Sequence, residues 1–243
     1  MQMLEAKGVT RHFGGLAAVS NVSFQLIQGE ILGLIGPNGA GKTTLFNLIS
    51  AALRPQSGSI KFKGREIVGL KPHEICRMGV ARTFQTVKVF NNMSALNNVL
   101  LGAYFGRQDD STATDASSDA MALLEFVKLA DSAETPAKDL TLARQKRLEV
   151  ARALATQPEV LLLDEMMEGL NPSEVLRAMS LVKRIRERGI TVIMIEHVMR
   201  AIMNVCDRIA VLHHGAKIAE GTPQEISENQ KVVEVYFGER SDA

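Results

Sequence analysis

The chain has 243 residues, 46% of them hydrophobic, which is enough to bury the core of one large α/β domain. Its 28 basic and 27 acidic residues give a net charge of +1, so the overall balance argues against electrostatic binding to nucleic acid or to an anionic membrane. The sequence shows neither a signal-peptide core nor an apolar run of membrane-spanning length, and we expect a cytosolic or peripheral protein.

The first part of the chain alternates polar and apolar residues, which predicts half-buried strands at 19–26 and 57–64. We expect these strands to begin an antiparallel sheet. Between them, an apolar strand at 31–36 leads into a glycine-rich turn and then into a helix at 42–53. A strand, a loop and a helix in this order are the repeating unit of a parallel sheet, so the sequence predicts an α/β fold.

Residues between Gln85 and Leu140 follow a helical pattern without strands. Helices are predicted at 92–105 and 117–130, with the polar segment 106–117 between them as a surface loop. The sheet pattern then returns, with strands predicted at 160–164 and 190–196 and helices at 144–156, 172–188 and 197–205. The helical stretch is therefore predicted to be a subdomain inserted into an α/β core.

The segment GPNGAGKTT matches the phosphate-binding pattern G-x-x-x-x-G-K-[ST] and lies between a strand and a helix, as that pattern requires. Its glycines let backbone N–H groups and the helix N-terminus face phosphate oxygens. Lys42 is predicted to contact the β- and γ-phosphates of a nucleotide, and Thr43 to offer its hydroxyl to Mg²⁺. A glycine turn that merely caps a helix is the plainer alternative. The predicted nucleotide-binding residues are Gly36, Pro37, Asn38, Gly39, Ala40, Gly41, Lys42, Thr43 and Thr44.

A pair of carboxylates supplies the second half of such a site. Asp164 ends the buried strand VLLLD, where it can hold Mg²⁺ through water, and Glu165 follows as the candidate general base. The alternative, in which both acids only cap the next helix, is weakened by the phosphate-binding loop upstream.

In this order the motifs resemble those of the ATP-binding cassette ATPases over nearly the whole chain, apart from the polar segment near 106–119. The resemblance implies that Phe13 stacks on adenine, for which core packing is the alternative. It also implies that Gln85 senses the metal and the γ-phosphate, and that His197 contacts the γ-phosphate. A loop that crosses to a partner protomer is implied at Gly169, Leu170, Asn171 and Pro172.

The same resemblance implies an α/β fold with a P-loop NTPase (RecA-like) core, an N-terminal antiparallel β subdomain and an inserted α-helical subdomain. Residues 1–243 would form a single nucleotide-binding domain. Within it, residues 1–85 and 156–243 would make the β and RecA-like core, and residues 86–155 the helical subdomain with its signature sequence.

The signature sequence, usually L-S-G-G-Q in this family, caps the γ-phosphate bound by the opposite protomer. Leu140 and Thr141 fit its first two positions, but Leu142, Ala143 and Arg144 replace Gly, Gly and Gln. Glycine allows main-chain N–H groups to approach a phosphate closely, which a leucine side chain hinders, whereas Thr141 keeps a hydroxyl and Arg144 brings a cation. The composite site built on this segment is therefore expected to be weakened.

Longer phrases resemble the ATPase subunits of bacterial branched-chain amino acid importers, and related urea, amide and lipopolysaccharide-export ATPases look similar. This resemblance implies binding and hydrolysis of ATP with Mg²⁺ at the cytoplasmic side of the inner membrane. It implies a second ATPase subunit as partner, as a heterodimer or alternatively a homodimer, with two membrane permease subunits and, indirectly, a periplasmic or extracellular binding protein. A permease helix would dock beside Gln85 on residues 86–94, where we expect Val87, Val89 and Phe90 to be exposed together.

Other functions have less support in the sequence. A soluble cassette ATPase acting on DNA or ribosomes would carry coiled-coil insertions, zinc modules or a second cassette, and P-loop GTPases would carry an NKxD motif. The basic run 183–188 is typical of a solvated helix face, and His213 with His214 is typical of a turn, so we expect no nucleic-acid partner. We expect Cys76 and Cys206 to be free, buried thiols.

Overall fold

A computed structural model describes residues 1–106 and 113–237, with the backbone alone described at 113–115 and at 237. Its strands are β1 (Gln2–Phe13), β2 (Leu16–Ile27), β3 (Ile31–Ile35), β4 (Ser57–Phe62), β5 (Arg65–Glu66), β6 (Val80–Arg82), β7 (Val160–Asp164), β8 (Thr191–Ile195), β9 (Arg208–His213) and β10 (Ala216–Gly221). Its helices are α1 (Lys42–Ile49), α2 (Pro72–Met78), α3 (Ala95–Gly106), α4 (Ala113–Phe126), α5 (Leu142–Ala155), α6 (Pro172–Glu187), α7 (Met199–Val205), α8 (Pro223–Glu228) and α9 (Gln230–Phe237).

The strands form an antiparallel sheet and a mostly parallel sheet. The antiparallel sheet has the order β2-β1-β4-β5, and the other has the order β10-β9-β3-β8-β7-β6. In the second sheet β9, β3, β8, β7 and β6 run parallel, and β10 lies antiparallel to β9 at one edge. The carboxyl ends of β3, β7 and β8 therefore lie side by side, which is where open α/β sheets bind their ligands.

The two faces of the parallel sheet contribute to two hydrophobic cores. Along β7, Val160 and Leu162 pack toward the core shared with the antiparallel sheet and α1, whereas Leu161 and Leu163 pack toward the core shared with α5 and α6. Alternate residues of a strand point to opposite faces, so a strand buried on both sides must be apolar throughout. The run VLLLD meets this requirement, and its only polar residue, Asp164, lies at the strand end.

The chain between β6 and β7 is helical, as the sequence predicts, and α3 packs on both α4 and α5. The predicted α/β class is thereby confirmed, with its antiparallel sheet formed by the first part of the chain. Helix α4 begins at Ala113 rather than at 117, so the polar segment predicted as a loop is shorter than expected on its C-terminal side. Residues 107–112 of that segment lie outside the described residues.

Sequence patterns missed several elements of the fold. Strands β5 and β10 and helices α2, α8 and α9 were not predicted because they are short or only partly buried, whereas β1 and β9 contain buried apolar residues that the sequence analysis did not assign to strands. Helix α1 ends at Ile49, earlier than the predicted 53. No helix in the part of the chain that the structure describes is long and apolar enough to cross a membrane.

The basic run 183–188 makes several contacts with other parts of the protein. The guanidinium groups of Arg184 in α6 and of Arg188, the residue after α6, lie 4.3 and 3.6 Å from the ring centroid of Phe126, and Arg186 pairs with Asp207 at 3.0 Å. The basic run 183–188 thus partly packs against protein instead of forming only a solvated face.

The cysteines differ from each other, and the two histidines lie at a strand end. Cys206 is buried as expected, but Cys76 is only half-buried, which corrects the expectation for that residue. His213 ends β9 and His214 lies in the turn that follows, as predicted. Among the described residues, no group of His, Cys, Asp and Glu side chains is arranged to hold a metal ion by itself.

Candidate functional site

The turn between β3 and α1 needs glycine at defined positions. Gly36, Gly39 and Gly41 have φ angles of 152°, 79° and 101°, which L side chains rarely adopt. A Cβ atom on Gly36 would lie 2.1 Å from the carbonyl oxygen of Leu212, and one on Gly41 would lie 2.1 Å from that of Ala18. The backbone around the loop is therefore too close for any larger residue at these two positions.

Lys42 lies inside this loop and not in solvent. Its Nζ donates hydrogen bonds to the carbonyl oxygens of Gly36 at 2.8 Å and Pro37 at 3.0 Å. Burial lowers the pKa of Lys42, and the carboxylates of Glu165 and Asp164 oppose that shift. The ammonium group is thereby oriented toward the region where the loop can bind phosphate.

A cavity of about 850 Å³ opens beside the loop, within the size range of small-molecule sites. Phe13 lies in its wall and is 46% exposed, which rules out the alternative that this ring is a core residue. Leu16 and Ala18 line the cavity as well and were not predicted. The predicted site residues that line it are Phe13, Asn38, Gly39, Ala40, Gly41, Lys42, Thr43, Thr44, Gln85, Glu165 and His197.

The carboxylate of Glu165 is held from both sides. Its Oε2 accepts a hydrogen bond from Nε2 of Gln85, and its Oε1 accepts one from Nε2 of His197, each at 2.8 Å. The backbone is fixed too, since its N–H donates to the carbonyl oxygen of Ile195 at 2.9 Å and its carbonyl oxygen accepts from Nζ of Lys146 at 2.8 Å. Three predicted site residues from distant parts of the sequence thus meet at one carboxylate.

The backbone of Glu165 adopts an uncommon conformation. Its φ angle is 50°, in the left-handed region, at a cost of about 1–3 kcal/mol for a non-glycine residue. Such conformations concentrate at active sites, where surrounding contacts maintain them. Here the backbone contacts to Ile195 and Lys146 provide that support, and they place an ionisable oxygen at the cavity wall, where a general base is required.

Asp164 is almost fully buried at the end of β7, with an exposure of 1%. Its Oδ2 pairs with Nη2 of Arg82 at 2.8 Å, and its N–H donates to Oγ1 of Thr83 at 3.1 Å. Its other carboxylate oxygen, Oδ1, is buried and has no hydrogen-bond partner among the described residues. A buried carboxylate oxygen without a protein partner fits a hard cation such as Mg²⁺, for which the hydroxyl of Thr43 and the amide oxygen of Gln85 are suitable ligands too.

Sequence reasoning missed four polar residues that support the two carboxylates: Arg82, Thr83, Lys146 and Glu196. Oε1 of Glu196 accepts a hydrogen bond from the N–H of Met167 at 2.8 Å, which fixes the turn after Glu165. Burial raises the pKa of Glu196 to about 7 and lowers that of Lys146. For Lys146 and Glu196 the sequence signal was a charged residue within an apolar helix face or beside an apolar strand, which indicates a paired buried charge.

The signature segment occupies the start of α5. Thr141 is the N-cap residue, and its side chain makes no capping hydrogen bond, while Leu142 is 46% exposed. Nη2 of Arg144 pairs with Oδ2 of Asp131 at 2.7 Å, and Nη1 of Arg144 also contacts Ser132. The cation that replaces glutamine is therefore engaged within its own chain.

The loop after Glu165 reaches the same region. Gly169 has a φ angle of 73°, and a Cβ atom there would lie 3.2 Å from the side chain of Leu142. Asn171 caps α6 and forms a capping box with Glu174. The start of α6 is thus fixed next to the signature segment, with Pro172 as its first residue.

A second, more apolar cavity of about 710 Å³ lies beside α2, α3 and α5. We call it the apolar groove, and its wall includes Phe84, Phe90, Met93, Phe105, Arg82 and Arg152. Phe90 is 49% exposed, as expected. Val87 and Val89 are only partly exposed and do not line the apolar groove, so the expectation that all three apolar side chains are exposed together is wrong for these two.

Comparison with known proteins gives consistent matches over the chain. The sequence profile described as "ABC transporter" matches residues 19–168, and the profile described as "Branched-chain amino acid ATP-binding cassette transporter" matches residues 216–242. The chain is 40% identical to the high-affinity branched-chain amino acid transport ATP-binding protein LivG of Salmonella typhimurium, covering 98% of both chains. It is 35% identical to the lipopolysaccharide export system ATP-binding protein LptB of Acidithiobacillus ferridurans, again over 98% of both.

Solved structures resemble the fold closely. The ADP conformation of MJ1267, an ATP-binding cassette of an ABC transporter, superposes with a TM-score of 0.89 at 31% identity, covering 98% of this chain and 100% of that one. A dimeric post-hydrolysis state of the cassette MJ0796 bound to ADP and phosphate superposes with a TM-score of 0.82 at 26% identity, covering 91% of this chain and 99% of that one.

Proposed function

The chain belongs to the ATP-binding cassette (ABC) transporter family, and on this premise we propose that it is the ATP-hydrolysing subunit of an importer for branched-chain amino acids. The observation that carries the catalytic part of this proposal is the carboxylate of Glu165, held between Gln85 and His197 at the wall of the cavity beside the phosphate-binding loop. The proposed cargo, branched-chain amino acids, is inferred from the names of relatives such as LivG.

Nucleotide binding begins with the loop and Phe13. The exposed ring of Phe13 stacks on adenine, and the backbone N–H groups of residues 36–44 with the ammonium of Lys42 bind the phosphates. Thr43, Gln85 and Asp164 would hold Mg²⁺, which would neutralise the negative charge that develops on the phosphates.

Hydrolysis requires one activated water molecule. A carboxylate oxygen of Glu165 accepts a proton from water, whose oxygen bonds to the γ-phosphorus while the bond to the β–γ bridging oxygen breaks, giving ADP and phosphate. Each oxygen of Glu165 accepts one hydrogen bond in this structure and keeps a second lone pair, so it can take the proton while Gln85 and His197 hold the carboxylate. The side chain of His197 is 41% exposed and can contact the γ-phosphate after turning away from Glu165.

A second ATPase subunit completes the site. The signature segment of this chain, Leu140 to Arg144, presents a bulky exposed leucine and an arginine already paired with Asp131, which weakens it as a cap for a partner's nucleotide. We favour a heterodimer in which a partner with an intact signature completes the competent site on this chain. The solved cassette dimer supports dimerisation in general, and a homodimer is the competing arrangement.

Transport follows if closure of the two ATPase subunits is transmitted to a membrane. The apolar groove fits a short amphipathic helix from one of two permease subunits, because the exposed aromatic side chains of Phe90 and Phe105 lie on its largely apolar wall. In the proposed complex the chain lies at the cytoplasmic side of the bacterial inner membrane, and a periplasmic or extracellular binding protein delivers the cargo. No nucleic acid takes part.

The experiment that tests the cargo is uptake into liposomes that contain the purified complex of this chain with its permease subunits and its partner ATPase. We expect ATP-dependent accumulation of labelled leucine, isoleucine and valine, and none with a nonhydrolysable ATP analogue. The similarity to LptB makes a lipopolysaccharide exporter the second candidate, for which the complex would extract lipopolysaccharide from the membrane and accumulate no amino acid.

A further inference from the structure

Arg82 links helix α1 to the end of strand β7 through its side chain. It ends β6 next to β7, and its guanidinium donates to Oδ1 of Asn47 at 2.6 Å and to Oγ of Ser50 at 3.2 Å in and beside α1. The same group donates to Oδ2 of Asp164 at 2.8 Å. One side chain therefore ties the helix that follows the phosphate-binding loop to the carboxylate at the end of β7.

The position of this guanidinium is fixed from several sides. Its Cζ atom lies 5.7 Å from the ring centroid of Phe46 and 5.2 Å from that of Phe84, so the guanidinium also contacts two aromatic residues. The side chains of Arg82 and Asp164 are 8% and 1% exposed. A buried charge pair with this many anchors holds one geometry, whereas exposed pairs exchange among several.

The pair leaves one oxygen of Asp164 for another ligand. Oδ2 is occupied by Arg82, and the backbone N–H next to it is held by Thr83, while Oδ1 is buried without a partner among the described residues. A half-turn of the carboxylate only exchanges its two equivalent oxygens, so one oxygen always faces Arg82 and the other is left without a protein partner among the described residues. The arrangement thus fixes a single direction in which the carboxylate can meet a cation or its bound water.

We propose that Arg82 is a positioning residue that orients Asp164 for Mg²⁺ and so sets the affinity of the nucleotide site for the metal. The proposal rests on the proposed role of Asp164 as a metal-binding carboxylate. Outer groups that orient a metal ligand commonly change metal affinity by about 10–100-fold when they are altered.

Two variants test orientation without removing the charge at this position. Arg82→Lys keeps the cation but loses the planar fork that bridges Asp164 to Asn47, and Asn47→Ala removes an anchor while leaving the arginine in place. Arg186→Lys is the matched control, because Arg186 also pairs with an aspartate, Asp207, but does so at an exposed position outside the site.

The measurement is calorimetric titration of each purified chain with a nonhydrolysable ATP analogue, at a series of Mg²⁺ concentrations and in EDTA, alongside thermal unfolding. We expect Arg82→Lys to weaken the apparent affinity for Mg²⁺ by about 10-fold or more, and Asn47→Ala to weaken it in the same direction but less. Affinity for the analogue in EDTA should stay within twofold of the wild type, and Arg186→Lys should match the wild type throughout.

The possible failures are distinguishable. If Mg²⁺ strengthens binding of the ATP analogue by the same factor in the wild type and in both variants, the role of Arg82 is overturned while the proposed function stands. If Mg²⁺ has no effect on binding to the wild type, the proposed metal site fails and the role of Arg82 fails with it. Should Arg82→Lys not fold, the titration of Asn47→Ala decides the outcome.

Discussion

Individual side chains at this site are held by partners that are far away in sequence. Gln85 and His197 are 80 and 32 positions from Glu165, yet each contributes a hydrogen bond to a different oxygen of its carboxylate. A carboxylate held in this way loses little orientational freedom when water arrives, which favours proton transfer. Lys146 and Glu196 act one step further out, on the backbone on either side of the turn.

Glu196 provides a prediction about pH. Because burial raises the pKa of Glu196 from 4.5 to about 7, the folded chain holds this proton over a range in which the unfolded chain releases it. The free energy of unfolding should therefore fall, through this residue, as pH rises from about 4.5 to about 7. Glu196→Gln removes this titration. The difference in free energy of unfolding between the variant and the wild type should therefore shift by about 2 kcal/mol in favour of the variant as pH rises from 5 to 8.

Urea unfolding of the variant and the wild type at several pH values checks this prediction. Glu187→Gln, at an exposed position of α6, is the control and should change the pH dependence little. A stability difference for Glu196→Gln that is the same at pH 5 and pH 8 would show that the folded and unfolded chains titrate this group alike.

At this scale the sequence predicts residues that belong to contiguous motifs. Lys42, Thr43, Asp164 and Glu165 could be predicted because each lies at a fixed distance from a glycine pattern or a strand end. Arg82 could not be, since its role depends on the pairing of β6 with β7 and on the position of α1, which no local pattern reveals.

Among the elements, the turn between β3 and α1 imposes the tightest steric limit. Gly41→Ala should destabilise the chain and abolish nucleotide binding, because its new Cβ would lie 2.1 Å from the carbonyl oxygen of Ala18 in β2. Gly189→Ala is the matched control, with a φ angle of 85° but open space around the Cβ position. The free energy of unfolding of this control should fall by about 1–2 kcal/mol, because alanine is strained in the left-handed conformation.

Gly41→Ala should lower the free energy of unfolding by about 1–3 kcal/mol more than Gly189→Ala does, since the steric clash adds to the same backbone strain. Thermal unfolding and nucleotide titration of both variants give the comparison. Equal losses of stability would mean that the backbone near Ala18 yields easily, and that glycine serves only the φ angle at position 41.

The apolar groove between α2, α3 and α5 gives a prediction about coupling. Phe90→Ala should strongly reduce uptake by the assembled complex, because it removes an exposed aromatic side chain from the wall on which a permease helix would pack. Tyr104→Ala is the control, since Tyr104 is 52% exposed but does not line the apolar groove. Nucleotide titration of each isolated variant verifies that it is folded, and normal uptake with Phe90→Ala would contradict the docking assignment.

Helices and strands with strong periodicity are predicted well from the sequence. Strands β3, β7 and β8 are continuous apolar runs, and α5 and α6 keep one apolar face, so each was predicted within a few residues. Strand β10 is only partly buried along its whole length and carries no such signal, although it closes one edge of the sheet.

At the scale of the whole molecule, this chain contributes to two ATP sites of the proposed dimer, and its two contributions are unequal. The carboxylates, the phosphate-binding loop and His197 fit the requirements for hydrolysis, whereas the signature segment presents Leu142 and an arginine paired with Asp131. We therefore expect this chain to work with a partner whose intact signature segment completes the ATP site on this chain.

The central claim is that Glu165 activates the attacking water in a site closed by a partner subunit. Its most direct test is steady-state ATP hydrolysis by the assembled complex, with nucleotide binding measured in parallel, for Glu165→Gln and Leu142→Gly. We expect Glu165→Gln to lower turnover at least about 100-fold while nucleotide still binds, and Leu142→Gly to change turnover little or raise it. Near-normal turnover with Glu165→Gln, or an equally severe loss when the partner's own base is altered, would contradict the account.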